Sequence, residues 1–201
     1  MKDIATENDL SALIGSRICH DLISPLGAIG NGVELLSMSG IGLASEMALI
    51  ADSVECANAR IRFFRVAFGA AASGTEIGQS EIQSILRDTY KGGRIRVEFS
   101  SEGELLRAEI KLVFLLLQCL ESSLPWGGKI AVKHSGDNWQ LEARGDKLKV
   151  DSNLWSLIAD PTDATEVVAA VVHFALVHDA ARVAGRRVAS FLSETRVTVS
   201  F

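Results

Sequence analysis

A run of ten mostly small residues, Gly69–Gly78 (GAAASGTEIG), separates two parts of the chain that differ in their apolar patterning. Residues 9–68 carry long helical periodicities and no β-rich run, whereas strand-like and helix-like segments alternate after residue 78. Because stretches rich in glycine, alanine and serine are typical of flexible linkers, this division predicts two domains, residues 1–72 and residues 78–201.

The first part predicts two helices joined by a short turn. One helix spans about Asp9–Ser37, a turn rich in glycine and serine spans Ser37–Gly42, and a second helix spans about Leu43–Phe68. Two helices joined in this way pack antiparallel as a hairpin. Because two helices alone make a poor core, we expect the hairpin to pair with that of a second copy, which gives a homodimeric four-helix bundle.

The second part predicts an α/β sandwich, in which helices cover one face of a sheet, so that the fold class of the chain is α+β. Helical patterns span Ser80–Lys91, Glu104–Leu124 and Ala164–Gly185. Alternating patterns predict five strands: Arg94–Ser100, Lys129–His134, Trp139–Ala143, Arg187–Ser193 and Thr195–Phe201.

Composition excludes several functional classes. The net charge of −5 argues against a general binder of nucleic-acid backbones. Apolar runs stay far below the ~18 residues of a membrane span, and the first residues lack the pattern of a signal peptide, so we expect a cytoplasmic protein. Cys19, Cys56 and Cys119 lack the spacing of a zinc site. We expect no metal site and three reduced thiols packed as small apolar groups.

His20 lies on the polar face of the first helix. At ~100° per residue, seven apolar residues fall within about 60° of the opposite pole, and we expect them to form a buried stripe: Ile14, Ile18, Leu22, Leu26, Ile29, Val33 and Leu36. The face of His20 carries mainly small or polar residues, including Ser16, Arg17, Ser24, Gly27 and Asn31, with Leu13, and Ile23 at the edge, as apolar exceptions. Another protein could therefore approach the imidazole closely.

An exposed neutral imidazole is a nucleophile that can be phosphorylated on a ring nitrogen. Asp21 could orient the ring or take its proton, and Ser24, one turn along, could position a phosphoryl oxygen or a water. His134, His173 and His178 have no such neighbours, and we expect them to be solvated surface histidines.

The segment His20–Leu26 (HDLISPL) resembles the H-box of two-component histidine kinases: a histidine, an acid, two variable positions, a small polar residue and then Pro-Leu. The segment also lies on a helix of a hairpin near the start of the chain, as the H-box does. The resemblance implies that His20 is the phospho-acceptor.

The second part is similar in order to the ATP-binding domain of these kinases, but it departs from that domain at the nucleotide motifs. Leu115–Leu124 resembles the helix of the asparagine box, with Gln118 and Ser122 where asparagines are expected. Ala143–Leu148 (ARGDKL) replaces Asp-x-Gly-x-Gly, and residues 151–184 contain no glycine for the lid. Because phosphates are cradled by glycine-rich backbone and magnesium needs oxygen ligands, we expect the fold without ATP binding and no cofactor.

Together, Ser16–Leu36, Ala59–Gly69 and the degenerate sandwich resemble the ChpT family of bacterial histidine phosphotransferases. The resemblance implies a homodimer that takes a phosphoryl group from the receiver aspartate of a hybrid histidine kinase onto His20 and passes it to response-regulator aspartates. The receiver domain would supply the magnesium. Receivers would dock beside His20, on a surface formed by Leu13, Ser16, Arg17, Gly27 and Asn31.

Two other functions stay open at this point. A divergent ATP-dependent histidine kinase would be labelled by ATP without a partner, and a non-catalytic dimeric scaffold or anti-regulator would keep its function after His20→Ala. Phosphatase activity, with Asp21 and Ser24 placing a water, is compatible with phosphotransfer.

Overall fold

The computed structural model describes residues 7–39, 44–72, 74–159 and 167–201. Two long helices come first: α1 spans Glu7–Ser39 and α2 spans Ala44–Ala67. Ile14, near the start of α1, lines a cavity together with Ala67 at the end of α2, so the two helices run antiparallel. None of the helices in the described ranges has the length and hydropathy needed to cross a membrane.

Within the described ranges, the second part contains a five-stranded sheet and four α-helices. The strands are β1 (Ile95–Ser101), β2 (Gly128–Ser135), β3 (Asn138–Arg144), β4 (Ala189–Leu192) and β5 (Arg196–Ser200). The helices are α3 (Gln79–Tyr90), α4 (Arg107–Ser122), α5 (Ser152–Ala159) and α6 (Val172–Val183), and a 3₁₀ turn, Ala169–Val171, leads into α6. The strand order is β1-β2-β3-β5-β4, with β1 parallel to β2 and the other pairs antiparallel. The predicted α+β fold class is confirmed.

Helix α4 is the centre of the core. Every residue of Leu112–Leu120 is buried, because the helix contacts β3 as well as α2 and α6. A helix that is covered in this way is apolar on nearly all sides. The ring of Phe114 lies 4.7 Å from that of Phe63 on α2, measured between centroids. The end of the hairpin and the sandwich thus share one core, and the boundaries at residues 72 and 78 stay a prediction.

A buried carboxylate ties α4 to the sheet. Glu109 accepts hydrogen bonds from Arg186 Nε at 2.7 Å and from Trp139 Nε1 at 3.1 Å. Arg186 also donates to the carbonyl oxygen of Asp137 at 3.0 Å. Buried charges are tolerated when they are paired and hydrogen-bonded in this way.

The helices of the second part differ from the prediction in two places. Helix α5 was not predicted, although Asp151 caps it: Oδ1 accepts from the backbone nitrogen of Asn153 at 3.0 Å. Helix α6 begins eight residues after the predicted start at Ala164, which lies outside the described residues. Of the predicted turn Ser37–Gly42, residues 37–39 belong to α1 and residues 40–42 lie outside the described residues.

Burial of the hairpin also differs from the prediction. Leu26 and Val33 belong to the predicted buried stripe, yet they are 57% and 53% exposed in the single chain. Pro25 lies inside α1 without ending it and is buried. The apolar surface of α1 is therefore wider than the part that α2 and the sandwich cover.

The environments of the cysteines and histidines were predicted only in part. Cys119 is buried, and burial raises the pKa of its thiol well above the usual value. Cys19 and Cys56 are exposed, so the prediction that all three thiols are packed is wrong. His134 and His173 are buried instead of solvated, because His134 stacks on Trp139 with ring centroids 4.2 Å apart and His173 faces α4.

Candidate functional site

His20 projects into solvent from a position near the middle of α1. Its side chain is 82% exposed, and Nδ1 lies 3.1 Å from Oδ1 of Asp21. A carboxylate only accepts hydrogen bonds, so this contact places the ring proton on Nδ1. The lone pair of Nε2 then points away from Asp21 and is open to a partner.

Asp21 is held from its other side by Arg17. Oδ2 of Asp21 lies 3.2 Å from Nη2 of Arg17, one helical turn earlier, and the Asp21 side chain is only 13% exposed. Each carboxylate oxygen therefore has one partner: Oδ1 faces His20 and Oδ2 faces Arg17. Both oxygens of the carboxylate are thus engaged within this part of the chain, one by His20 and one by Arg17.

Arg17 also contacts the sandwich. Its Nη1 donates to the carbonyl oxygen of Ala170, in the 3₁₀ turn, at 3.0 Å. The side chain is 19% exposed. Arg17 was predicted to line the docking surface. The structure places its guanidinium mainly against Asp21 and Ala170, and a contact with a partner stays a prediction.

The remaining predicted residues lie along the same helix. Ser16, Ser24, Gly27 and Asn31 are exposed, and Leu13 is partly buried. A Cβ added to Gly27 would meet no atom within 4 Å, so nothing inside this chain requires glycine there. The structure thus leaves a polar surface with small residues around His20, and the roles of these residues remain predictions.

The position predicted to match the kinase asparagine box holds a polar cluster in which Gln118 and His173 are buried and Ser122 is exposed. Ser122 Oγ donates to the carbonyl oxygen of Gln118 at 2.9 Å and lies 3.1 Å from Nε2 of His173. Because the hydroxyl proton goes to Gln118, His173 donates from Nε2. Burial, together with the charge of Arg17, lowers the pKa of His173 to about 3, so the ring is neutral at physiological pH.

The segment that replaces the glycine-rich ATP motif serves packing. A Cβ on Gly145 would lie 2.9 Å from Cδ2 of Leu124 and 3.1 Å from the carbonyl oxygen of Gly127. Glycine is therefore favoured at position 145, because a side chain there would crowd the loop that follows α4. Among the described residues, no group of three or more His, Cys, Asp or Glu side chains could hold a metal ion.

Two members of this arrangement were missed by sequence reasoning. Ala170 contributes only a carbonyl oxygen, which no side-chain motif can reveal. His173 lies in an apolar segment (VVHFALV), and this setting was the available signal that its ring is buried.

Comparison with known proteins identifies the family. A family model described as the histidine phosphotransferase C-terminal domain matches residues 79–196, more than half of the chain. The chain belongs to the histidine phosphotransferase family. Its relatives include the protein phosphotransferase ChpT of Brucella abortus (strain 2308), which is 37% identical over 172 residues, 79% of this chain and 81% of that protein.

A solved structure of a bacterial phosphotransferase extends the family match to the hairpin. It superposes with a TM-score of 0.81 at 30% sequence identity, over 97% of this chain and 96% of that chain. The predicted family, a histidine phosphotransferase of the ChpT type, is confirmed, and so is the prediction of a phosphotransferase that fits a phosphorelay.

Proposed function

We propose that the protein receives a phosphoryl group on Nε2 of His20 from the receiver-domain aspartate of a hybrid histidine kinase and passes it to the aspartates of response regulators. The observation that carries the proposal is the exposed His20 ring, 82% accessible, with Nδ1 held 3.1 Å from Asp21. Membership of the family indicates the class of reaction, and the geometry of His20 leaves its Nε2 available as the nucleophile.

The transfer step needs little acid–base chemistry. Nε2 attacks the phosphorus of the aspartyl phosphate, the Nε2–P bond forms, and the P–O bond to the aspartyl group breaks with its electron pair leaving on the carboxylate. The proton stays on Nδ1, so the product is a phosphorylated imidazolium whose positive charge faces Asp21 at 3.1 Å. Attack by a second receiver's carboxylate reverses the step and restores neutral His20.

Positioning is the main contribution of this chain. Asp21 orients the ring, and Ser24, one turn after His20 and exposed, could donate to a phosphoryl oxygen. Leu13, Ser16, Gly27 and Asn31 are proposed to contact the receiver, which would bring its own magnesium. The same Asp21 and Ser24 could place a water for hydrolysis of the phosphoryl group.

We propose that ATP is not the donor. Gln118 and Ser122 stand where the kinases carry asparagines, and the Ser122 hydroxyl is already engaged with Gln118 and His173. Gly145 is tightly packed against Leu124 and Gly127. We infer that these contacts disfavour a magnesium–nucleotide complex, which needs oxygen ligands and free backbone amides.

We also propose a homodimer formed by the hairpins. Exposed apolar side chains recur on α1 at Leu26 and Val33, and on α2 at Met47, Val54 and Ile61. The members on α2 are seven residues apart, which is the repeat of helices that pack side by side in bundles. A second copy would bury both stripes and leave the face of His20 free.

The proposal places the protein in the cytoplasm with its receiver partners. Cys19 and Cys56 are exposed free thiols, which persist in a reducing compartment.

Radiolabelled phosphoryl transfer tests the proposal. Purified wild type and His20→Ala are incubated with labelled ATP alone and, separately, with a receiver domain phosphorylated at its aspartate. We expect label on the protein only with the receiver and only when His20 is present. Label from ATP alone would identify a kinase, and the absence of label under both conditions would favour a scaffold.

A further inference from the structure

We propose, resting on the role given to His20 above, that Arg17 is a positioning residue: it clamps Asp21 to the sandwich domain and so holds the phosphotransfer imidazole in one orientation and tautomer. One guanidinium nitrogen, Nη2, lies 3.2 Å from Asp21, and the other, Nη1, donates to Ala170 at 3.0 Å. Arg17 is thus part of the machinery behind His20 and acts through Asp21.

Burial separates Arg17 from the surface that meets a partner. The side chains of Arg17 and Asp21 are 19% and 13% exposed, against 82% for His20. Nε of Arg17 is fully covered. Charge-assisted hydrogen bonds strengthen when water is excluded, so Asp21 is held more firmly than an exposed ion pair would be.

The sandwich side of the clamp is itself fixed. Ala170 lies in the 3₁₀ turn directly before α6, and His173, in the first turn of α6, is completely buried. Nε2 of His173 lies 3.1 Å from Oγ of Ser122, the last residue of α4, which ties this turn to the end of the central helix. The cluster at the former asparagine box therefore supports the phosphotransfer histidine through Ala170 and Arg17.

The neutral state of His173 suits this arrangement. A charged imidazole beside Arg17 would repel the guanidinium, whereas a neutral ring lets Arg17 direct its charge to Asp21. Lysine could not replace Arg17, because a single ammonium group lacks the planar fork that reaches two acceptors at once.

Phosphoramidate tests the proposal without a docking partner, because this small donor transfers its phosphoryl group to histidine with ammonia as the leaving group. We compare wild type, Arg17→Gln, Arg17→Lys and the control Arg182→Gln, which removes an exposed positive charge from α6. We expect Arg17→Gln to slow phosphorylation of His20 about tenfold, Arg17→Lys to recover little of this, and the control to match wild type. An unchanged rate in Arg17→Gln would overturn the proposal.

A phosphorylated receiver domain as donor separates positioning from docking. We expect Arg17→Gln to lower the maximal single-turnover rate while the half-saturating receiver concentration stays within about twofold of wild type. A raised half-saturating concentration with an unchanged maximal rate would make Arg17 a docking residue and overturn the proposal. Because Arg17 acts through Asp21, the double variant Arg17→Gln/Asp21→Asn should be no slower than Asp21→Asn alone.

Nitrogen-15 NMR of the His20 ring in the unphosphorylated protein gives a readout that does not depend on activity. We expect one tautomer, protonated at Nδ1, in wild type and a mixture in Arg17→Gln. The same mixture in both proteins would contradict the clamp. The two proposals can fail separately. If wild type takes no phosphoryl group from any receiver but its His20 ring is in a single tautomer, the proposed function is wrong, whereas the positioning role of Arg17 is supported.

Discussion

Oδ1 of Asp21 lies 3.1 Å from Nδ1 of His20, although the two residues are adjacent in the chain and their Cα–Cβ bonds point about 100° apart around α1. The contact forms because Arg17 holds the other oxygen of Asp21 at 3.2 Å. A short-range pair on one helix thus depends on a residue one turn earlier and on the sandwich beyond it.

Replacing Asp21 by asparagine tests the charge of this contact. Asparagine keeps the shape and can still accept a hydrogen bond, but it cannot balance the positive phosphoimidazolium. We expect Asp21→Asn to slow transfer from a phosphorylated receiver by about 100-fold, with little change in receiver binding, measured by single-turnover labelling. Asp179→Asn, an exposed acid on α6, should behave as wild type. Equal rates in both variants would remove Asp21 from the mechanism.

A methyl group at Gly27 tests the docking surface. Because a Cβ there meets no atom within 4 Å, Gly27→Ala should raise the free energy of unfolding by about 1 kcal/mol through helix propensity. We expect the half-saturating receiver concentration to rise, since the methyl group stands on the face of His20. Gly15→Ala, also in open space and about 140° from His20 around the helix, should gain stability without affecting transfer. If the half-saturating receiver concentration is unchanged in Gly27→Ala, the receiver does not dock against this position of α1.

A charge within the exposed apolar stripes tests the homodimer. Val33 on α1 and Ile61 on α2 are exposed in the single chain, and burying such a side chain contributes about 1.5–3 kcal/mol. We expect light scattering to give twice the chain mass of 21.6 kDa for wild type and the monomer mass for Val33→Glu/Ile61→Glu. Phe191→Glu, an equally exposed apolar site on the edge strand β4, should leave the dimer intact. A monomer mass for wild type would contradict the predicted homodimer.

The helices and strands could be read from the sequence where the signal is local. The periodicity of α1 placed His20 on an exposed face, and alternating residues located all five strands of the sheet. Helix α5 was the exception, although its capping aspartate, Asp151, and the apolar run after it were both visible in the sequence.

The contacts that position His20 could not be read, because they join distant parts of the chain. Arg17 meets Ala170 across 153 residues, and a backbone carbonyl leaves no trace in composition. The helical periodicity placed Leu26 and Val33 on the apolar face of α1, but it does not show whether α2, the sandwich or another chain covers that face. The apolar segment around His173 indicates burial, but its contact with Ser122 on α4, 51 residues earlier, could not be predicted from the sequence.

The buried ion pair between Glu109 and Arg186 should matter for stability. Removing the arginine leaves an almost fully buried carboxylate that, among the described residues, keeps the hydrogen bond from Trp139. We expect Arg186→Leu to lower the free energy of unfolding by about 3–5 kcal/mol, measured by urea denaturation. Arg187→Leu, the neighbouring exposed arginine, should change it by less than about 0.5 kcal/mol. If both variants lose a similar free energy of unfolding, the loss in Arg186→Leu does not come from breaking the pair with Glu109.

The buried His173 should make the fold sensitive to acid. Its pKa is about 3 in the folded chain, because burial and the charge of Arg17 oppose protonation, whereas the unfolded histidine has a pKa of about 6.5. Between these values the unfolded chain binds one more proton at this position, so stability falls as pH falls, by up to about 1.4 kcal/mol per pH unit. Above about pH 6.5 the contribution is constant, since both states are neutral there. We expect His173→Gln, which can still donate to Ser122, to have a shallower loss of stability between pH 6.5 and pH 5 in urea titrations. Identical slopes in wild type and variant would mean that His173 becomes protonated in the folded protein.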